Sequence, residues 1–341
     1  MISVIIAGGS GTRLWPLSTP EYPKHLLTIN GAGDSLLQTT YSRARELSEH
    51  VYIVTEKGHL EHVHDQLKDV SEDYFIVEPD RRGTAGCIVA ALSKIAKNHG
   101  SDEPVAFMHA DHFIRNRDGF IATLKKAGEI TANSGKITLI GINPDYASTG
   151  FGYIKKRFSD GGEAFEVESF KEKPDAETAQ RYFESGDYLW NGGYFVASLD
   201  TFLREMNEVA PDLADFYNKL NAATPENYDE TYLSFESIAI DYALIEKVPD
   251  LLVIPAEFDW MDVGSFADLH TASQSDDQGN STLGSVELEQ VNNSIVQNYE
   301  AKPLAVIGLD NIAVINTPKG IVVTHKDNAQ KVGDVSKRFN K

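Results

Sequence analysis

The sequence predicts an α/β protein, with a mixed, mostly parallel sheet flanked by helices and a small C-terminal β domain. Short β-branched runs alternate with helical patterns through the first half, a polar stretch follows at residues 273–284, and short strands come after it. Alternating strands and helices are typical of a Rossmann-like sheet with helices on both faces. We therefore expect one large domain over residues 1–272, a linker over 273–284, and a β-rich domain with a terminal helix over 285–341.

The first half supplies the strands and helices of this sheet. Apolar, β-branched runs predict strands at residues 3–8, 51–56, 74–79, 104–111 and 136–142. The stretches between them have apolar residues at helical spacing and predict helices at residues 35–48, 59–70, 83–98 and 119–134. Ligands of such sheets bind at the carboxyl ends of strands, so the segments after the first and fourth strands are candidate site segments.

The rest of the chain has a different pattern. Residues 151–158 and 164–174 predict an antiparallel pair joined by a turn at 159–162. The further expected elements are a helix at 175–186, a strand at 189–198, a strand running through a loop into a helix start at 251–266, short strands at 293–298, 303–309, 311–317 and 320–325, and a helix at 328–339. The spacing of the late strands is too uneven to predict a regular β-helix repeat.

Composition and charge exclude several classes of protein. Of the 341 residues 41% are apolar, enough to bury a core, and 31 Lys and Arg stand against 51 Asp and Glu, for a net charge of −20. A chain this acidic is a poor candidate for binding nucleic acid or a membrane surface nonspecifically. One cysteine, Cys87, allows neither an intrachain disulfide nor a cysteine-cluster zinc site. With no leader pattern and no membrane-length apolar run, we expect a cytoplasmic protein.

The loop after the first strand is a candidate anion site. Residues 7–24 contain three glycines, three prolines and two basic residues, Arg13 and Lys24. The P-loop pattern fails for lack of a Gly-Lys pair, and the dinucleotide pattern fails because Leu14 stands at its last position. Glycine lets backbone N–H groups approach phosphate oxygens. The residues expected to contact an anionic ligand are Gly8, Gly9, Gly11 and Thr12.

This loop and six later motifs resemble the sugar-1-phosphate nucleotidyltransferases. The loop matches that family's pattern at Gly9, Gly11, Arg13, Pro16-Leu17 and Pro23-Lys24, and the form GGSGTRLWPLS is most similar to the mannose-1-phosphate guanylyltransferase branch. The later motifs, in the family's order, are HADH, TGFGYI, FKEKPD, LWNGGYF, IDYALIEK and FDWMDVGSF. The resemblance implies a nucleotidyltransferase fold, with residues 1–272 as the catalytic domain. It also implies transfer of GMP from GTP to α-D-mannose 1-phosphate, giving GDP-mannose and pyrophosphate.

The resemblance implies a metal-assisted, in-line reaction. The attacking group is already a phosphate oxyanion, so positioning and charge stabilisation should carry catalysis. Asp111 and Asp262 are the implied ligands of Mg²⁺, which fills its shell with water and substrate phosphate oxygens. Arg13 and Lys24 are assigned to the triphosphate and the departing pyrophosphate, and Lys173 to the phosphate of the sugar substrate. We read His109 and His112, which flank Asp111, as packing or hydrogen-bonding groups.

Other residues are assigned to substrate binding by the same resemblance. Glu172 and Asn191 are expected at the sugar hydroxyls, Gly150 at the hexose, and Thr84 in the segment associated with base recognition. Asp241 either shapes the sugar pocket or caps a helix. The implied partners are GTP and a sugar 1-phosphate, with no nucleic acid and no membrane, and we expect a homodimer.

Departures from the family pattern keep alternatives open. Gly83 and Gly86 stand where the family commonly has asparagine and proline, so another NTP or another hexose 1-phosphate is an alternative substrate. A non-catalytic, nucleotide-sugar-binding regulatory subunit is a second alternative, although Arg13, Lys24 and both aspartates are all present. His59 and His62 are three positions apart with no further ligand nearby in the sequence, which indicates a solvated helix face rather than a zinc site.

Overall fold

The computed structural model describes residues 1–9, 11–29, 33–157 and 163–339. Its strands are β1 (Ile2–Ala7), β2 (Val51–Glu56), β3 (Phe75–Glu78), β4 (Pro104–His109), β5 (His112–Phe113), β6 (Thr138–Ile142), β7 (Tyr153–Lys156), β8 (Phe165–Lys171), β9 (Tyr188–Ser198), β10 (Leu252–Pro255), β11 (Met261–Asp262), β12 (Ser281–Leu283), β13 (Val286–Glu289), β14 (Ile295–Asn298), β15 (Leu304–Ile307), β16 (Ile312–Thr317) and β17 (Gly320–His325).

Most of the α-helices lie in the first domain, and the last lies in the C-terminal domain. They are α1 (Leu36–Leu47), α2 (Leu60–Gln66), α3 (Gly83–Asn98), α4 (Arg117–Ser134), α5 (Ala176–Ser185), α6 (Leu199–Val209), α7 (Pro211–Asn221), α8 (Tyr228–Leu233), α9 (Ile240–Ala243), α10 (Phe266–Ala272) and α11 (Val332–Ser336). Short 3-10 helices occur at Thr12–Leu14, Lys24–Leu26, Glu72–Tyr74, Ile245–Lys247 and Lys326–Lys331. Within the described ranges, the helices are too short or too polar to cross a membrane.

A nine-stranded mixed sheet runs through the first domain. Its order is β3-β2-β1-β4-β9-β6-β10-β8-β7, and β9 also pairs with β7. Followed across the sheet, the pairings make β8 and β9 run opposite to the other strands. The predicted mixed, mostly parallel sheet is therefore confirmed. The interior strand β1 is buried along its whole length, which explains why its sequence is an apolar run rather than an alternating one.

Helices cover both faces of the sheet. Successive strand residues point to opposite faces, and β1 shows this directly. Val4 packs into the core formed with α3, α6 and α7, while Ile5 packs into the core formed with α1 and α4. This two-sided packing holds the sheet rigid, so the loops at the carboxyl ends of β1 and β4 have a fixed base.

The C-terminal domain is a stack of short parallel strands. β12, β14 and β16 form one ladder that β17 closes antiparallel, and β13 pairs in parallel with β15. The Asn292 side chain donates to Asp310, 18 positions later, and Asn298 and Asn316 repeat that offset. The structure therefore contains a repeat that the uneven spacing of the late strands was insufficient to predict. The repeat was missed because only two coils show it, before β17 reverses direction.

The expected element positions agree with the structure within a few residues, with some exceptions. The two-residue strands β5 and β11 and the strands β12 and β13 were not anticipated, and residues 281–283 of the predicted linker form β12. The antiparallel pair β7 and β8 is present, while its predicted turn at 159–162 lies outside the described residues. The boundaries of the two domains stay a prediction.

An apolar cluster joins the two domains. Leu14 from the loop after β1 and Phe266 from α10 pack with Ile295, Ile315 and Val332 of the C-terminal domain. The C-terminal domain therefore docks on the first domain next to the glycine loop.

Candidate active site

A two-stranded ribbon brings two distant aspartates together. β5 pairs antiparallel with β11, so that Asp262 lies opposite His112 and Met261 lies opposite Phe113. β5 begins three residues after the end of β4, at the carboxyl edge of the central sheet. Asp111 and Asp262 therefore reach the same point, although they lie in motifs far apart in the sequence.

The ammonium group of Lys24 lies between the two carboxylates. Its Nζ is 3.0 Å from Asp111 Oδ2 and 2.5 Å from Asp262 Oδ1. Arg13 lies beside them, with Nη2 3.6 Å from Asp262 Oδ2. Three separate motifs thus supply one cluster of two anionic and two cationic groups. The residues predicted for the triphosphate and the metal are brought together.

Burial and pairing together set the charge of this cluster. Burial raises the pKa of the Asp111 carboxyl, but the positive charge of Lys24 outweighs burial and holds that pKa well below its ordinary value. The pKa of Asp262 is lowered in the same way. Burial lowers the pKa of Lys24, and the two carboxylates raise it by more. At neutral pH the lysine is therefore a cation and both aspartates are anions.

Gly11 makes room for this lysine. It has a left-handed φ of 54°, and a Cβ there would lie 2.8 Å from both Cβ and the backbone N of Lys24. A larger residue would separate the glycine loop from the 3-10 helix that begins at Lys24. Gly9 is also left-handed, at φ 107°, and both Gly8 and Gly9 would present a Cβ to open space. That open surface is suited to an approaching ligand.

His112 forms the wall behind Asp111. Its Nδ1 accepts a hydrogen bond from the indole N–H of Trp260 at 3.1 Å and lies 2.9 Å from the Tyr194 hydroxyl. An indole N–H can only donate, so the proton of the neutral ring is on Nε2, which faces Asp111 Oδ1 at 4.0 Å. Burial lowers the pKa of His112 to about 3, and burial also lowers that of His109. Both are neutral packing and hydrogen-bonding groups.

A smaller cavity of about 310 Å³ adjoins the charged cluster. Asn191 donates to Asp241 Oδ1 at 2.7 Å and accepts from the backbone N–H of Gly193 at 3.1 Å. Lys173 donates to Glu172 Oε1 at 2.7 Å. Glu172 is 6% exposed, and its Oε2 has no hydrogen-bond partner among the described residues. The cavity thus presents carboxylate and amide groups suited to a polyhydroxyl ligand.

Asp241 has an altered pKa in this cavity. Burial, followed by the negative charge of Glu172, raises the pKa of the Asp241 carboxyl to about 6. Asp241 is one residue into α9, yet its side chain bonds to Asn191. Of the two roles considered from the sequence, shaping the cavity is the one that this contact supports.

A larger cleft of about 900 Å³ also borders the cluster. Gly150, Lys173, Trp260 and Asp262 line both spaces, so the two cavities are adjacent. Side chains that sequence reasoning did not single out here are Asp145, Tyr146, Trp260, Asp268 and Gln330. Trp260 lies inside the FDWMDVGSF motif, which was the available signal for it.

Thr84 reaches this region from the start of α3. Its hydroxyl accepts the backbone N–H of Ile240 at 2.9 Å, and the residue lines the smaller cavity. The neighbouring glycines are required by packing. Gly83 has φ 70°, and a Cβ there would overlap the carbonyl oxygen of Ile238; at Gly86 it would lie 2.6 Å from the Tyr232 hydroxyl. The departure from the family pattern is therefore explained by close contact with residues 232–238.

The donor set of the cluster fits a hard divalent cation. In the described parts of the chain, no three His, Cys, Asp or Glu side chains lie together as a ready metal site. The two carboxylates that face Lys24 are nevertheless oxygen ligands of the kind that Mg²⁺ takes from a protein when substrate phosphates and waters complete its shell. Asp111 and Asp262 are therefore the candidate protein ligands for such an ion.

Comparisons with known proteins agree with this geometry. Two family descriptions match the chain: Nucleotidyl transferase over residues 2–279, and MannoseP isomerase/GMP-like beta-helix domain over 285–339. The xanthan biosynthesis protein XanB of Xanthomonas campestris pv. campestris is 36% identical, with 98% of this chain and 72% of XanB covered. The mannose-1-phosphate guanylyltransferase of Escherichia coli (strain K12) is 35% identical, with 97% of this chain and 72% of that protein covered.

A solved structure matches the whole chain. It is described as a mannose-1-phosphate geranyltransferase from Thermus thermophilus, with a TM-score of 0.89, 26% identity, and coverage of 100% of this chain and 99% of that one. The resemblance predicted from the motifs is confirmed, and enzymes of this family generally use a divalent metal. With both of its domains matched in order, the chain belongs to the nucleotidyl transferase family, and its relatives include mannose-1-phosphate guanylyltransferases.

Proposed function

We propose that this protein transfers GMP from GTP to α-D-mannose 1-phosphate, giving GDP-mannose and pyrophosphate, with Mg²⁺ as its metal. The observation that carries the proposal is the cluster of Lys24, Arg13, Asp111 and Asp262 beside a small polar cavity. Phosphates need cations and a metal-binding pair, and a hexose needs a polar cavity. Both are present, side by side.

The residues act by position and charge. Lys24 and Arg13 neutralise the triphosphate and then the departing pyrophosphate, and the glycine loop lets the phosphates approach the backbone. Lys173 holds the phosphate of the sugar, whose oxyanion attacks in line. When bound by Asp111 and Asp262, Mg²⁺ supplies further charge neutralisation. Because the nucleophile is already an anion, the neutral histidines beside Asp111 are not needed as bases.

The small cavity orients the hexose. Asn191 both donates and accepts, and the unpartnered Oε2 of Glu172 is an acceptor for a hydroxyl. Asp241 adds a second acceptor when ionised. Gly150 lines both cavities, where the absence of a side chain leaves its backbone accessible to the hexose. Thr84, at the edge of the small cavity, is assigned to the nucleotide.

A panel of substrates tests this proposal. Pyrophosphate release is measured for four NTPs against several sugar 1-phosphates, with and without Mg²⁺. We expect the highest turnover for GTP with mannose 1-phosphate, and none after chelation. Equal or better turnover with UTP or dTTP would reassign the base. Absence of turnover with every pair, together with binding of a nucleotide sugar, would favour the regulatory-subunit alternative.

We further propose that the protein works in the cytoplasm as a homodimer. The edge strand β17 exposes Ile321 and Val323, each 63% accessible, and Ile307 is 67% accessible on β15. Apolar side chains this exposed, on one small domain, are consistent with a surface that a second copy covers.

A further inference from the structure

The C-terminal segment lies directly on the glycine loop. The Ser336 hydroxyl lies 3.4 Å from the carbonyl oxygen of Thr12, and Phe339 stacks on Trp15 with ring centroids 5.1 Å apart. Val332 joins the apolar cluster that contains Leu14. The loop after β1 is therefore supported from outside the nucleotidyl transferase region by the last residues of the β domain.

Arg13 lies between two glycines. A Cβ at Gly264 would lie 2.9 Å from its Nη1, and a Cβ at Gly333 would lie 3.1 Å from its Cγ. Gly264 follows the ribbon strand that contains Asp262, whereas Gly333 belongs to α11 of the C-terminal domain. The absence of side chains at both positions lets the Arg13 side chain, which is 53% exposed, lie close to both segments as it extends to the charged cluster. A side chain at 333 would push the arginine stem away.

Gln330 faces the same space. It lines the larger cleft together with Arg13 and Asp262, and it is exposed. Its carboxamide makes no hydrogen bond that the structure records among the described residues. A carboxamide offers two N–H donors, which suit phosphate oxygens in a cleft that also contains acidic groups.

We propose that residues 329–339 form part of the active site: Gly333 and α11 position Arg13 for the leaving pyrophosphate, and Gln330 donates to the phosphates of the nucleotide. This inference rests on the proposed nucleotidyl transfer. Under this proposal the C-terminal domain contributes residues to the active site. Gly333 is a positioning residue, because it acts only through Arg13.

Kinetics of full-length variants test the positioning role. Gly333→Val should lower kcat by about tenfold or more, a fraction of the 10²–10³ lost with a whole preorganised contact. The inhibition constant of pyrophosphate should rise by a similar factor, while KM for mannose 1-phosphate stays within about twofold. Leu309→Ala, at an exposed position of the same domain outside residues 329–339, is the control and should behave as wild type. A structural defect alone would not move pyrophosphate affinity selectively.

Two further variants keep the inference falsifiable if Gly333→Val fails to fold. Gly333→Ala should show the same changes more weakly, and Gln330→Ala should raise KM for GTP by about tenfold, the effect of one hydrogen bond to a charged group. If all three variants match the wild type while Arg13→Ala loses turnover, the inference is overturned. If the wild type itself turns over no substrate pair, the proposed function fails separately. Calorimetric pyrophosphate binding then decides: equal binding by wild type and Gly333→Ala overturns the inference.

Discussion

Asp111 and Asp262 each place one carboxylate oxygen on the ammonium group of Lys24. The second oxygen faces His112 in the case of Asp111 and Arg13 in the case of Asp262. Replacing either by asparagine keeps the side-chain size but removes the negative charge that faces Lys24. At the scale of single residues, the aspartate-to-asparagine change therefore tests the contribution of each negative charge separately from side-chain size.

We expect Asp111→Asn and Asp262→Asn each to lower kcat by about 10²–10³, since each removes one preorganised electrostatic contact. Turnover is measured with Mg²⁺ titrated, and circular dichroism checks the fold. Asp250→Asn, at an exposed ion pair with Lys136, is the control and should be unaffected. Full activity of Asp262→Asn at ordinary Mg²⁺ would remove Asp262 from the metal site.

Asp241 predicts a pH dependence of stability. Its folded pKa of about 6 exceeds the ordinary 3.8, so the folded state binds more protons than the unfolded state between these values. Stability from this group is therefore present at low pH and is lost as pH rises through about 6. The unfolding free energy of Asp241→Asn minus that of wild type should therefore increase by on the order of 2 kcal/mol when the pH is raised from 4 to 7.5.

Denaturant unfolding of the Asp241→Asn variant and wild type across that range measures the difference. Asp250→Asn, also an aspartate-to-asparagine change, provides the control. A difference between Asp241→Asn and wild type that stays constant with pH would contradict the raised pKa.

At the scale of elements, the start of α3 shows how local packing overrides a family pattern. Gly83 combines a left-handed backbone with a contact to the carbonyl of Ile238 that leaves no room for a side chain. Restoring the family's asparagine there should therefore harm the fold rather than improve base recognition.

We expect Gly83→Asn to destabilise the protein by about 2 kcal/mol or more, measured by denaturant unfolding, because a Cβ cannot be accommodated. Gly186→Asn is the matched control. Gly186 has the same φ of 70° with open space around its Cβ, and asparagine tolerates that backbone region. Comparable losses at the two positions would mean that backbone strain, not the contact with Ile238, decides the cost.

At the scale of the whole molecule, the C-terminal domain has a small apolar cluster of its own around Val314 and packs a second cluster against Leu14 and Phe266 of the first domain. A chain truncated after Asp276 would expose that shared core. We expect it to lose activity and to change its oligomeric state, measured by turnover and light scattering. A soluble, fully active truncated protein with the same oligomeric state as the full chain would contradict a role of the C-terminal domain in activity and in the dimer.

The proposed homodimer is tested by charged substitutions on its expected interface. Ile321→Asp with Val323→Asp places two charges on the exposed face of β17, and light scattering should show monomers if a second copy covers that face. Ile307→Asp tests whether the covered surface extends to β15. An unchanged dimer would place the interface elsewhere.

Local pattern determined much of this protein. The apolar run of β1, the helical spacing of α3 and α4, and the polar stretch near residue 276 are set by nearest-neighbour chemistry, so the α/β domain and the small β domain could be predicted. The glycine loop with Arg13 and Lys24 likewise indicated an anion site before any contact was known.

Only the tertiary structure decided what the residues do to one another. The ribbon of β5 and β11 is two residues long on each side, too short for any periodicity, yet it places Asp262 beside Asp111 around Lys24. The 18-residue coils, the packing of Gly83 on Ile238, and the position of Gly333 against Arg13 depend on contacts between distant segments. Periodicity and composition describe neighbours along the chain, whereas such contacts arise only when the packed core brings distant segments together.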